Sequence, residues 1–196
     1  SCVMAGPGEL LSVVQRDNLP MHPSYPLAAA LVLSLAACTP SLNWRDVRTE
    51  SGELGALLPC KPDKGSRSVP MAGQSVPVQM IGCEAGGALF AIASARLPDG
   101  MAQGLAISQW KAATLANIKL DPATSPPDVL AFAPAGSTPV EGSAIVSAAG
   151  QRADGRPVQS RAAYFARGQR VYQAVVYADQ INPQAADTFF SSFKFQ

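Results

Sequence analysis

From residue 43 onward the hydrophobic positions change period several times, and each change marks an element. Asn43-Trp44-Arg45-Asp46-Val47-Arg48 alternates apolar and polar residues, the period-2 pattern of a strand with one buried face. Glu53 to Leu58 reads as a second extended piece, stopped by Pro59, and Cys60-Lys61-Pro62-Asp63-Lys64-Gly65 reads as a turn-rich loop. Arg67–Met71 and Ser75–Glu84 are predicted as two extended segments joined through Ala72-Gly73-Gln74. Gly86-Gly87 supplies another tight turn, and the apolar run Ala88 to Ala95 fits a buried central strand.

The pattern then shifts to the helical period. Ala102 to Ile118 is dominated by Ala, Leu, Gln and Lys, which favour helix. Leu105, Ala106, Gln109, Ala112, Ala113 and Ala116 share one side, with Ile107, Trp110, Thr114 and Ile118 broadening the apolar surface. Pro122, Pro126, Pro127, Pro134 and Pro139 break this period, so residues 121–139 are expected as a surface loop. Gly142 to Ala149 and Pro157 to Phe165 flank a polar connector containing Asp154-Gly155, a hairpin signal. Arg170–Tyr177 is a further strand, with Val171, Val175 and Tyr177 on one face and Tyr172, Ala174 and Val176 on the other. Asn182-Pro183 is a helix start, a capping side chain followed by proline at the first helical position. That second helix runs to about Ser192 and carries Phe189 and Phe190.

Strands, helix, strands, helix, with hairpins throughout, predict an α+β domain over residues 43–196. The expected form is an antiparallel sheet with two helices packed on one face, as a single domain. The C-terminal third resembles the small PsbP/Mog1-like domains, whose last hairpin and helix end in a Phe-Phe-x-Ser-Phe-like close. Here that close is Phe189-Phe190-Ser191-Ser192-Phe193. The rest of the chain matches by element order. The resemblance implies a binding or assembly role and brings no catalytic motif.

Residues 27–37 are apolar and uncharged, too short for the roughly 20 apolar residues that span a bilayer but the right length for the apolar core of a secretory signal. They end in Leu35-Ala36-Ala37-Cys38, which resembles the lipobox of bacterial lipoproteins: a branched apolar residue, two small residues and a cysteine. The resemblance implies cleavage before Cys38 and diacylglycerol on its sulfur. Met21–Pro26 holds no Lys or Arg, a departure from the usual start of such signals. The expected organisation is an over-extended start over residues 1–20, a lipoprotein signal peptide over 21–37, a lipidated tether over 38–42 and then the domain. One acyl chain binds a membrane only marginally. The two or three chains that the resemblance implies make the anchor permanent. Thr39 after the cysteine, rather than Asp, implies the periplasmic face of the outer membrane.

Charge and composition narrow the chemistry. The 196-residue sequence holds 15 basic and 14 acidic residues. Without Arg16, Glu9 and Asp17 of the leader, 14 basic and 12 acidic remain, with no basic run, so nothing argues for nucleic acid. The single histidine is His22, within the leader, so the domain lacks imidazole for acid–base work, nucleophile activation or zinc. Export would place Cys60 and Cys83 in an oxidising compartment. With Cys38 lipidated, these two are expected to form a disulfide rather than act as reactive thiols.

Other candidates have ordinary readings beside the functional ones. Ser108-Gln109-Trp110-Lys111 has the Ser-x-x-Lys spacing of penicillin-binding enzymes, but so does Ser191–Lys194, and no Lys-Thr-Gly follows. Arg152, Asp154 and Arg156 at a hairpin tip are candidate partner contacts, against the reading of charges that solvate a turn. Asp46, Glu50 and Glu53 lack the ligand order of a calcium loop. Trp44 and Trp110 are core residues or binding aromatics. The functional expectation is a non-enzymatic envelope lipoprotein, a binding or assembly module without cofactor or metal, that meets the membrane through its anchor and a protein partner in the envelope. A weak hydrolase of cell-wall or lipid material and a carrier of a small apolar ligand are the alternatives. A cavity lined only by apolar side chains would favour the carrier, and a serine beside a lysine or carboxylate in a cleft would favour the hydrolase.

Overall fold

Alternating and all-apolar segments pair here into two antiparallel sheets. The computed structural model describes residues 42–196; Cys38, the signal segment and Thr39–Ser41 lie outside the described residues. The order is β1 (Arg45–Arg48), β2 (Leu54–Leu58), β3 (Asp63–Met71), β4 (Gln74–Ala85), β5 (Ala88–Arg96), α1 (Gln103–Asn117), β6 (Asp128–Ala131), β7 (Ala144–Gln151), β8 (Pro157–Arg167), β9 (Arg170–Ala178), α2 (Pro183–Ser191) and β10 (Lys194–Phe195). The large sheet has the order β3-β4-β5-β9-β8-β7-β6, and β1-β2-β10 form a small second sheet. The result is a sheet-dominated domain with two helices. Among the described residues no helix is long and apolar enough to cross a membrane.

Local chemistry sets the hairpins. β4 and β5 meet through Gly86 and Gly87 at φ 58° and 76°, the left-handed pair that a two-residue hairpin turn needs and that glycine adopts without strain. Ala72 takes φ 48° beside Gly73 in the turn between β3 and β4, a conformation a side chain rarely adopts. Its backbone N–H donates to Gln109 Oε1 of α1 at 2.6 Å, which helps hold it there. Asn182 caps α2 as its sequence predicts, its Oδ1 accepting from the Ala185 N–H at 3.1 Å, with Pro183 opening the helix.

The two helices do not share a face. On β5, Phe90 and Ile92 point into the layer with α2 and β2, whereas Ala93 and Ala95 point toward α1. On β9, Tyr172, Ala174 and Val176 join the α2 side and Val171 and Val175 the α1 side. Central strands that are apolar on both faces must be covered on both, and one helix per face does that. α2, with the small sheet, covers the side rich in phenylalanine. α1 covers the other.

Three smaller expectations are corrected as well. Asp63 to Gly65 already belong to β3, because they pair with Gly82, Ile81 and Met80 of β4. The proline-rich stretch contains β6, which pairs with β7 at the sheet edge and leaves Val129 and Leu130 exposed. On α1 the buried stripe is Ala106, Ile107, Trp110 and Thr114, while Leu105 is exposed. Alanines on every side of this helix blur its apolar face in the sequence.

Cys60 and Cys83 form a disulfide with Cα atoms 5.9 Å apart. It ties the end of β2, and so the small sheet, to β4 of the large one. On the chain-entropy view such a crosslink contributes about 3 kcal/mol.

Candidate functional site

On the α1 side the sheet is only partly covered. Small side chains on β5 (Ala91, Ala93) and on the facing helix (Ala113, Thr114) leave a gap where larger ones would meet. The gap is a groove of about 650 Å³. Met80, Leu89, Ala91, Ala93, Val175 and Tyr177 form its floor, and Trp110 and Ile118 its helical wall. Volume and mostly apolar lining are those of a small-molecule site. β3 contributes Arg67, which strand alternation puts on the same face as Val69 and Met71. The β7–β8 hairpin contributes Arg152. Among the described residues no carboxylate lines this groove.

Beneath the groove lies a buried polar network. Gln173 Nε2 donates to Thr114 Oγ1 at 2.7 Å and to the Tyr164 hydroxyl at 3.1 Å, and Thr114 Oγ1 donates to the Trp110 carbonyl at 2.9 Å. A satisfied network of this kind fixes the helix over the sheet at one register. Burial pushes the Tyr164 phenol up to about 12, partly offset by its hydrogen bonds to Thr114 and Gln173. Tyr177 and Tyr172 are raised too, again mainly by burial, with Ser160 and then Arg67 drawing Tyr177 back and Glu53 pushing Tyr172 further up.

These phenols hold their protons more tightly when folded than when unfolded. Their contribution to stability is therefore complete below the unfolded value near 10 and drains away as pH rises through the folded values. The urea midpoint should hold up to about pH 10 and fall steadily from there toward pH 12. Phenolate absorbance should lag behind that of free tyrosine over the same range. A midpoint unchanged across this window would show that the phenols are not buried as described.

The residues singled out by sequence separate into distinct places. Arg156 Nε bonds Asp154 Oδ2 at 2.8 Å, which lowers the Asp154 carboxyl and raises the Arg156 guanidinium. Arg152 instead reaches Asp179 Oδ1 at 2.9 Å. Asp154 and Arg156 thus serve each other at the hairpin tip, and only Arg152 of the three turns into the groove. Its Nε atom is buried without a hydrogen-bond partner among the described residues. Glu53 accepts from the Tyr172 hydroxyl at 2.9 Å and lies 3.4 Å from Arg170 Nε, so it belongs to a structural cluster. Trp44 packs edge-on against Phe90 on the α2 side, 6.2 Å between centroids. Trp110 is buried and also lines the groove.

Ser108 and Lys111 line a second, separate cleft of about 620 Å³ with Glu141. There Lys111 Nζ donates to the Gly142 carbonyl at 3.0 Å. Among the described residues the Lys111 side chain bonds this backbone carbonyl and not the Ser108 hydroxyl, so the pair is not joined as nucleophile and base. Sequence reasoning missed Arg67, Ala91 and Ala113 as groove residues. The signal available was the frequency of alanine, at Ala91, Ala93 and Ala95 and at Ala112, Ala113 and Ala116, in two elements otherwise expected to pack tightly.

No family model matches this chain, and no curated protein matches it.

Proposed function

We propose that the chain is a non-enzymatic lipoprotein of the cell envelope, anchored at Cys38, whose domain binds a small ligand in the groove between α1 and the sheet. The observation that carries the binding reading is the groove itself: an open concavity of about 650 Å³ with an apolar floor, over a rigid polar network. The lipobox-like Leu35-Ala36-Ala37-Cys38 supports the address, and the PsbP/Mog1-like close of the chain supports a binding rather than a catalytic role. The carrier alternative gains from the groove's apolar floor, although charged and polar side chains line its walls. The hydrolase alternative loses most from the engagement of Lys111 by a carbonyl. A tether of a few residues would keep the domain at the membrane surface, where a ligand or partner of the envelope is met at high local concentration.

Each half of the reading has its own measurement. Labelled palmitate should enter the wild type and not Cys38→Ala, and equal labelling would end the lipoprotein reading. For binding, the neutral dye Nile Red should brighten on the full chain carrying Cys38→Ala, which leaves every described residue unchanged. Adding Ala113→Trp should abolish that rise. Ala113 is exposed on α1, so a large side chain there reaches over the groove without disturbing the core. A rise that survives Ala113→Trp places the dye elsewhere and overturns the groove reading.

A further inference from the structure

Resting on that reading, we infer that the groove takes an amphiphile with an acid head group: an aliphatic tail along the sheet floor and an anion between Arg67 and Arg152. Three features of the groove converge on this class. The floor of Met80, Leu89, Ala91, Ala93 and Val175 offers a tail only dispersion and burial, which makes it tolerant of tail chemistry. Among the described residues, the ionic side chains lining the groove are both guanidiniums, Arg67 and Arg152, and Asp179, which pairs with Arg152, is not part of the lining. Finally, both guanidiniums have capacity left over. Arg67 is exposed and has no ion pair among the described residues, and Arg152 keeps its Nε unbonded while only its far nitrogen reaches Asp179.

The cost of these arrangements argues in the same direction. A buried guanidinium N–H without an acceptor loses the hydration it had in the unfolded chain. An anionic oxygen at the groove mouth would restore that bond and add a charge-assisted one. A neutral oxygen could accept that bond but would bring no charge to oppose the guanidiniums, and a cationic ligand would meet two like charges. Asn117, which also lines the groove, offers a neutral donor for a remaining oxygen position.

The test uses three probes with one tail: dodecanoate, dodecanol and dodecyltrimethylammonium, the two ionic ones titrated below their micelle concentrations and the alcohol below its solubility limit into the full chain carrying Cys38→Ala, with displacement of Nile Red as readout. The expected order is anion, then alcohol, then cation, with dodecanoate at least roughly tenfold tighter than dodecanol, the scale of one charge-assisted hydrogen bond. Arg67→Gln should remove most of that preference and Arg67→Lys should restore part of it. Both are edge-strand changes, and an unchanged urea midpoint will show that folding is intact. If the three probes bind alike, the head-group inference is overturned while the groove reading stands. If none displaces a dye that Ala113→Trp excludes, the amphiphile inference is overturned while the groove reading stands.

Discussion

Phe165→Ala is expected to destabilise the domain by about 3–5 kcal/mol, the range for truncating a fully buried phenylalanine. Phe165 sits on β8 with none of its surface exposed. Its ring stacks on Tyr172 with centroids 5.3 Å apart and planes 10° apart. Phe132, Phe193 and Phe195 surround it at 6.0, 5.8 and 5.9 Å. These partners come from four different parts of the fold: β9, the loop after β6, the residues just past α2, and β10. Removing the ring opens a cavity at the point where they meet, and no single neighbour can collapse to fill it. Phe165→Leu keeps most of the volume and should cost much less, about 1.5 kcal/mol or under. Urea unfolding of the two variants measures the difference. A loss below about 1 kcal/mol for the alanine variant would mean that the aromatic cluster does not hold the small sheet to the large one.

What could be read from the sequence, and what could not, follows from the range of the interactions involved. Turn chemistry is local, so Gly86-Gly87, Asp154-Gly155 and Asn182-Pro183 announce themselves. The apolar faces of β9 are equally plain, since alternation needs only a few consecutive residues. Which helix covers which face is not local. Tyr172 and Val171 are both apolar, and nothing in either says that one will meet α2 and the other α1. β6 is hidden among prolines because a four-residue edge strand takes its pairing from β7 rather than from its own propensity. The groove is the least legible feature of all. Arg67, Ala91, Ala113 and Arg152 are far apart in the chain, and their shared property, unused space or unused charge, exists only once the strands are in register. Arg152, Asp154 and Arg156 look alike in sequence as one charged turn. In three dimensions two of them satisfy each other, and one turns inward with a nitrogen to spare.

Gly150→Ala should cost about 3 kcal/mol, at the upper end of what overpacking does, and should also weaken binding in the groove. Gly150 lies on β7 opposite Val158, where the end of α1 comes down onto the strand. The Gln151 N–H donates to the Ile118 carbonyl at 2.7 Å, so helix and strand are joined by a backbone hydrogen bond at this point. A Cβ on residue 150 would stand 2.2 Å from that carbonyl oxygen and 3.0 Å from the Ile118 Cβ. The obstruction is backbone, so a rotamer change cannot relieve it. Either the hydrogen bond breaks or the end of α1 lifts, and Ile118 is part of the groove wall. Stability and ligand affinity are therefore coupled through one glycine. Gly65→Ala on β3 is the control, since nothing lies within 4 Å of where its methyl group would stand and its backbone is ordinary. There, replacing glycine within a strand should be neutral or stabilising by up to about 1 kcal/mol. Urea midpoints and Nile Red affinity, measured on both variants, give the answer. Equal stability of the two would show that α1 does not close against β7 as described, and lost stability with unchanged affinity would show that its end does not shape the groove.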